Sequence, residues 1–294
     1  MRYLIKHETQ LAFPRPVREH QCELRLVPRD DAHQRVLSAS VEVSPKTELG
    51  GYVDCYGNRV QTLSILEPHD FLVTTLHAEV ETWLTNPFAF PALDPDAERA
   101  WMSRALREEP RLLDFVLHRS ECVPELSKLA VPLAPPAFDP RRSLLENVQT
   151  TMEWAAAELV YESGVTDVHH PLAEVLEKRA GVCQDFAHLL VCVVRSFGFA
   201  ARYAMGFLDP VYAARPEGDD AGSPVAATHA WAEVLVPGAG WRGFDATQQL
   251  VVNDTYVTVA VGRDSRDAAP LRGSFKGADG GEAPRVQVCV QRQD

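Results

Sequence analysis

Long hydrophobic runs are missing from this 294-residue sequence: nowhere do about 18 uninterrupted apolar residues occur, the length that a membrane-spanning helix needs. The first residues contain no apolar stretch of signal-peptide length either. Positive charge is also scarce, because 29 basic residues face 41 acidic ones, and the net charge of −12 repels phosphate backbones and anionic lipids. These features predict a cytoplasmic protein with no nucleic-acid partner and no membrane partner.

The sequence also lacks CxxC pairs, internal repeats and low-complexity tracts. Its six cysteines are scattered, and in a reducing compartment a chain of this length is not expected to depend on a disulfide framework. At least one cysteine is therefore a candidate for a free, reactive thiol. The six are Cys22, Cys55, Cys122, Cys183, Cys192 and Cys289.

The length and the hydrophobic content of 46% correspond to about two domains, each with its own core. Polar and apolar residues alternate over 36–43 with the period of a half-buried strand, and 22–27 and 71–80 are further strand candidates. We predict an antiparallel β-domain over residues 1–90. A proline-rich, partly helical connector is predicted over residues 91–142.

The hydrophobic periodicity changes after the connector. Apolar residues follow helical spacing over 145–159 and 186–197, and Gly198 is placed to end the second helix. Helices followed by strands predict an α+β domain over residues 143–294. The strand candidates are 201–207, 229–236, 251–261 and 286–290.

Cys183 stands at the start of the second predicted helix. Unpaired backbone N–H groups and the positive end of the helix dipole favour a thiolate at this position. An unperturbed thiol, with a pKa of about 8.5, is only slightly ionised at neutral pH, so the placement suits a nucleophile. A buried structural thiol is the alternative, because free cysteines are commonly buried.

Two later segments favour the catalytic interpretation. His229 lies on one face of a predicted strand, so its imidazole can project from a rigid element. Asp245 ends the next short strand, after the turn signal Pro237-Gly238. Pairing of the two strands would bring the Asp245 carboxylate to the distal nitrogen of His229. The three residues would then supply a nucleophile, a base and an orienting group.

The order Cys183, His229, Asp245 closely resembles the bacterial transglutaminase-like family, as do the surrounding segments Gly-Val-Cys-Gln-Asp-Phe-Ala-His, His-Ala-Trp-Ala-Glu-Val and Gly-Trp-Arg-Gly-Phe-Asp-Ala-Thr. The strand-rich start of the chain looks like the N-terminal domain of that family. The resemblance implies a papain-like α+β transglutaminase core preceded by an antiparallel β-sandwich-like domain. It implies Cys183 as nucleophile, His229 as general base and acid, and Asp245 as the orienting residue. The chain has Ala246 where the family usually has proline, which could loosen the turn that holds Asp245.

The resemblance further implies a thiol-dependent enzyme that acts on a peptide or protein amide through a thioester acyl-enzyme and uses no cofactor. Such an enzyme is a cysteine protease or amidase, or a transglutaminase-like acyltransferase, and the choice between hydrolysis and transamidation stays open. An arylamine N-acetyltransferase-like acyltransferase also orders Cys, His and Asp, but its Arg-Gly-Gly-x-Cys signature is replaced here by Arg179-Ala180-Gly181-Val182-Cys183. A catalytically silent binding or scaffolding module is the third hypothesis. The physiological substrate, the oligomeric state and the role of the N-terminal domain stay open.

No metal site is expected. Helical offsets of five and four residues do not bring three zinc ligands together, and no CxxC pair exists; the residues considered are Cys183, His188 and Cys192, with His169 and His170. The polar segment 209–224 is a candidate flap at the mouth of a cleft. Calcium binding there is conceivable, but an acidic loop is usually only solvated.

Three further expectations concern the cleft itself. The Cys183 backbone N–H is a candidate oxyanion donor, and the sequence does not identify a second one. Tyr161 is an aromatic that could line the cleft, whereas Trp154 belongs to a periodic helix and is expected to pack in the core.

Overall fold

The computed structural model describes residues 1–129, 131, 133–162, 170–211, 228–277 and 283–293. Strands dominate the first 82 residues, and after residue 142 helices precede strands apart from two strands of two residues each. The predicted α+β organisation with an antiparallel N-terminal β-domain is confirmed. Among the described residues, no helix is both long enough and apolar enough to cross a membrane.

The N-terminal sheet is built around its first strand, which is 23 residues long. The strands in chain order are β1 (Arg2–Leu24), β2 (Gln34–Ser44), β3 (Leu49–Val53), β4 (Arg59–Ile65) and β5 (His69–Thr82). The first half of β1 pairs with β5 and the last part pairs with β4, so the antiparallel order is β2-β5-β1-β4-β3. A single long strand therefore connects both halves of the sheet.

Hydrophobic periodicity identifies only the end of β1, at 22–27, and misses most of its length. Alternate side chains of β1 do point inward, but the buried series includes the polar His7 and Thr9, whereas the apolar Leu4 is exposed. The side chains of β1 alternate regularly between the two faces of the sheet. Apolar and polar residue types do not follow this alternation, so the sequence pattern does not reveal the strand.

The connector is partly helical, and its first helix is 14 residues long. The first helix begins where Asp94 Oδ1 accepts a hydrogen bond from the Ala97 N–H at 2.9 Å, with Pro95 at the first helical position, a typical helix N-terminus. The elements are α1 (Pro95–Glu108), a 3-10 turn (Pro110–Leu113), α2 (Asp114–Leu117) and a second 3-10 turn (Leu126–Lys128).

The second unit follows the connector. Its elements are α3 (Leu144–Glu158), β6 (Val160–Tyr161), α4 (Leu172–Lys178), β7 (Ala180–Gly181), α5 (Cys183–Ser196), β8 (Ala201–Leu208), β9 (His229–Val236), β10 (Gly240–Asp245), β11 (Leu250–Val251) and β12 (Tyr256–Gly262). All residues from 184 to 195 are buried, so α5 is the central helix, and it packs against β9 and β8 of an antiparallel sheet ordered β11-β10-β9-β8-β12.

The two long helices of this unit are confirmed, and Gly198, with a φ of 84°, follows the second one as predicted. The strand predicted over 251–261 is instead two strands, β11 and β12, separated by a turn at 252–255. That turn directs the chain across the sheet, because β11 pairs with β10 at one edge and β12 pairs with β8 at the other.

The last two strands return to the N-terminal sheet. β13 (Leu271–Lys276) pairs with the end of β1, and β14 (Arg285–Gln293) pairs with its first nine residues. Side chains from β1, β5 and β14 share one hydrophobic cluster with side chains of α5, β8 and β12. The domain bounds 1–90, 91–142 and 143–294 stay predictions, and part of the last range completes the sheet of the first.

Candidate active site

Cys183 is the first residue of α5, as predicted, and its side chain is half-buried. Asp185 Oδ2 accepts a hydrogen bond from the Val182 N–H at 2.8 Å, and the buried Arg195 at the other end of the helix donates to three backbone carbonyls. A Cβ at Gly181 would lie 2.8 Å from the Asp185 Cβ, so only glycine fits without displacing the helix start. Cys183 is therefore presented by a rigid element, in the helical turn whose N–H groups lack intrahelical partners.

His229 and Asp245 are brought together by the β9–β10 pair. His229 begins β9, Asp245 ends β10, and the antiparallel register places Phe244 opposite Ala232. The His229 Nε2–H donates to Asp245 Oδ2 at 2.6 Å, so the predicted contact with the distal nitrogen is confirmed. The other imidazole nitrogen, Nδ1, is left for Cys183, whose interaction with the imidazole raises the pKa of His229.

Asp245 is fully buried and accepts hydrogen bonds at both carboxylate oxygens. Oδ1 accepts from the backbone N–H groups of Thr247 at 2.9 Å and Gln248 at 3.2 Å. Oδ2 accepts from His229 and from the hydroxyl of Tyr256, the latter at 2.9 Å. The two backbone contacts close the turn with alanine at position 246, so the absence of the usual proline does not release the carboxylate.

Opposing effects set the protonation of this pair. Burial raises the pKa of Asp245. The hydrogen bonds that its carboxylate accepts from His229 and Tyr256 lower the pKa by more than burial raises it, so the pKa lies below its usual range. Burial lowers the pKa of His229, but its contacts with Asp245 and Cys183 outweigh burial and leave the pKa above its usual value. The site therefore favours an imidazolium beside an ionised carboxylate.

A cavity of about 410 Å³ opens beside Cys183 and His229. The second unit contributes the start of α5 and parts of β8 and β9, and the N-terminal sheet contributes Thr9, Leu271 and Val286. Apart from His229, Arg266 is the one charged side chain among the described lining residues, and its guanidinium donates to Glu121 at 2.8 Å. Strands of the N-terminal sheet thus form part of the wall of a mostly apolar cleft.

The other residues singled out in the sequence fall into two groups. Tyr161 lines the cleft and Trp154 packs against the hydrophobic core, as expected for each. The zinc candidates His188 and Cys192 have different hydrogen-bond partners. His188 Nε2 accepts from the Ser265 N–H at 3.1 Å, and the Cys192 thiol donates to the Pro124 carbonyl at 2.8 Å. Of the remaining candidates, His169 and residues 212–224 of the predicted flap lie outside the described residues.

Tyr256 is a contact of the site that sequence reasoning does not identify. It belongs to β12, which pairs with β8 and not with the strand that carries Asp245. Its ring meets Trp231 edge-on at a centroid distance of 5.3 Å, and its hydroxyl reaches the carboxylate across the sheet. An aromatic residue in a predicted strand gives no signal for such a contact, because the partner is set by the order of strands in the sheet.

The fold and the site together define a protein with a transglutaminase-like core. Residues 133–246, which include all three predicted catalytic positions, match the transglutaminase-like superfamily, and residues 3–81 match the bacterial transglutaminase-like N-terminal region. The chain belongs to the bacterial transglutaminase-like family, as its motifs indicated.

Several proteins resemble the chain over most of its length. An uncharacterized protein of Mycobacterium leprae is 31% identical over 94% of this chain and 94% of its own length. An uncharacterized protein of Mycobacterium tuberculosis is 32% identical over 92% of this chain and 87% of its own length. A crystal structure of a "putative cysteine protease" from Cytophaga hutchinsonii has a TM-score of 0.70 and 22% identity, covering 100% of this chain and 92% of that one. This last likeness shows the shared fold.

Proposed function

We propose that the chain is a thiol-dependent amide hydrolase or transamidase in which Cys183, His229 and Asp245 form a catalytic triad. The 2.6 Å contact between His229 Nε2 and the buried Asp245 carboxylate, next to a cysteine at a helix start, is the observation that carries the proposal. Membership of the transglutaminase-like superfamily supports thiol-dependent amide chemistry at the level of the family.

The reaction follows from the roles of the three side chains. The Cys183 sulfur attacks the amide carbonyl carbon, and His229 gives its proton to the nitrogen as the carbon–nitrogen bond breaks. An amine leaves and a thioester to Cys183 remains. Asp245 stays ionised, keeps the imidazole in one orientation and stabilises its charged form. We propose the Cys183 backbone N–H as one donor to the oxyanion, because it belongs to the first turn of α5.

The second half of the reaction decides the product. His229, now neutral, removes a proton from water or from an incoming amine, which attacks the thioester and releases Cys183. Water gives a carboxylic acid, and an amine gives a new amide. The substrate we propose is a peptide or protein amide whose acyl side chain is uncharged, because the described walls of the cleft are mostly apolar.

Alkylation by iodoacetamide tests whether Cys183 is an activated nucleophile. Cys55 is an exposed thiol of the same chain and is the internal reference, since its accessibility is greater than that of the half-buried Cys183. We expect Cys183 to be alkylated faster than Cys55 at pH 7, as measured by mass spectrometry of both peptides. Slower or equal alkylation of Cys183 would contradict the proposal and favour a silent binding module.

Turnover is then tested with acyl donors. Thioester and amide peptides are incubated with the protein, and the acyl-enzyme is trapped at low pH and located by mass spectrometry. Release by water alone identifies a hydrolase, and incorporation of a labelled primary amine identifies a transamidase. Cys183→Ala is the negative control for both assays.

A further inference from the structure

The carboxylate of Asp245 has a second side-chain partner besides the imidazole. The Tyr256 hydroxyl donates to Oδ2 at 2.9 Å, and the His229 Nε2–H donates to the same oxygen at 2.6 Å. Oδ1 is taken by two backbone N–H groups. The tyrosine and the imidazole therefore share one oxygen of a buried carboxylate.

The position of Tyr256 is fixed by its surroundings. It follows a turn in which the Asp254 N–H donates to the Leu84 carbonyl at 2.9 Å and the Asp254 carbonyl accepts from Thr82 Oγ1 at 2.6 Å. Its ring is buried and meets Trp231 edge-on. Thr82 is the last residue of β5 and Leu84 follows it closely. The N-terminal domain therefore helps to place the Tyr256 hydroxyl.

We propose that Tyr256 is a positioning residue, which withdraws part of the negative charge of Asp245 from His229 and so limits how tightly the carboxylate holds the imidazolium. The catalytic meaning of this proposal rests on the proposed function, but the coupling between the three side chains can be measured without turnover.

The direction of the effect follows from the hydrogen bonds that remain. Without the hydroxyl, Oδ1 is still held by the backbone, so the carboxylate keeps its orientation. Oδ2 then has a single donor, and its charge is directed entirely at His229. A more strongly held imidazolium has a higher pKa and is a weaker general acid for the leaving amine. Loss of the hydroxyl should therefore lower kcat and leave KM unchanged.

Tyr256→Phe tests the coupling in a Cys183→Ala background, where Asp245 is the remaining triad partner of His229. The titration of His229 is followed by NMR of protein labelled with ¹³C in the imidazole, with the His229→Gln spectrum used for assignment. We expect the midpoint to rise by about half a pH unit or more, which is about threefold in the protonation equilibrium. An unchanged or lowered midpoint would overturn the proposal.

A stability loss alone does not distinguish a positioning role from a structural one, so two further proteins are compared. Tyr52→Phe is the control: the Tyr52 hydroxyl also donates to a carboxylate oxygen, Glu23 Oε1 at 2.7 Å, and both residues belong to strands of the N-terminal sheet. It should leave the His229 midpoint in place. Replacement of Tyr256 with 3-fluorotyrosine keeps the shape, strengthens the donor and should lower the midpoint; a rise would refute the charge-sharing role.

Failure of this proposal is distinguishable from failure of the proposed function. If Cys183 is alkylated faster than Cys55 while Tyr256→Phe leaves the His229 midpoint unchanged, the triad stands and the positioning role is wrong. If the midpoint moves as expected but no acyl-enzyme forms on any donor, the coupling stands and the proposed function fails.

Discussion

Asp245→Asn is the substitution that separates the charge of the proposed orienting residue from its shape. The amide oxygen can still accept from the Thr247 and Gln248 N–H groups, but the amide NH₂ then faces the His229 Nε2 and the Tyr256 hydroxyl, both of which donate in the wild type. The imidazole must become an acceptor at Nε2 and carry its proton at Nδ1, towards the cysteine. That tautomer cannot take the thiol proton.

The size of the effect can be worked from the same contact. A hydrogen bond to a charged group contributes about 1.5–3 kcal/mol, and about 1.36 kcal/mol corresponds to one pKa unit. The pKa of His229 should therefore fall by about one to two units, and alkylation of Cys183 near neutral pH should slow by about 10- to 100-fold.

The assay is iodoacetamide alkylation of Cys183 from pH 6 to pH 10, expressed relative to Cys55 in the same sample, with circular dichroism as the check that Asp245→Asn is folded. Asp209→Asn removes a buried carboxylate that lies outside the triad and is the matched control. If folded Asp245→Asn shows the wild-type rate and pH profile, Asp245 does not act on the cysteine through His229, and the reasoning is refuted.

Three other outcomes follow from the geometry. Gly181→Ala should slow Cys183 alkylation by displacing the start of α5, because the added methyl meets Asp185 at 2.8 Å, and a wild-type rate would contradict this. Leu271→Glu should raise labelling of Cys183 by a lysine-containing peptide aldehyde relative to a leucine-containing one, since Leu271 lines the cleft; an unchanged ratio would exclude that wall from the substrate site. The raised pKa of His229 stabilises the fold fully below the unfolded-state pKa of about 6.5, and this stability is lost as the pH rises through the folded-state value of about 10. The unfolding free energy in urea should therefore fall more between pH 7 and pH 10 for the wild type than for His229→Gln, and parallel curves would contradict it.

The local features of the site could be predicted from the sequence. The helical spacing after Cys183 and the glycine at position 198 defined α5, and the turn signal between His229 and Asp245 defined the strand pair that brings their side chains together. These predictions succeed because helix periodicity and short hairpins depend on residues that are close in sequence. The family motifs are also short contiguous segments, so they could be recognised from the sequence for the same reason.

The features that depend on distant residues required the folded chain. β1 pairs with β14 across nearly the whole sequence, and its buried His7 and Thr9 conceal it from a hydrophobic pattern. The contact of Tyr256 with Asp245 depends on a turn at 252–255 that moves the chain from one edge of the sheet to the other.

The sequence by itself determined which three side chains could form a triad and on which local elements they stand. The tertiary structure decided what surrounds that triad: the tyrosine that shares the carboxylate and the strands of the N-terminal sheet that form one wall of the cleft. The physical reason is that hydrophobic periodicity shows which face of an element is buried but not which other element covers that face. The covering element is decided only when both sheets pack around α5.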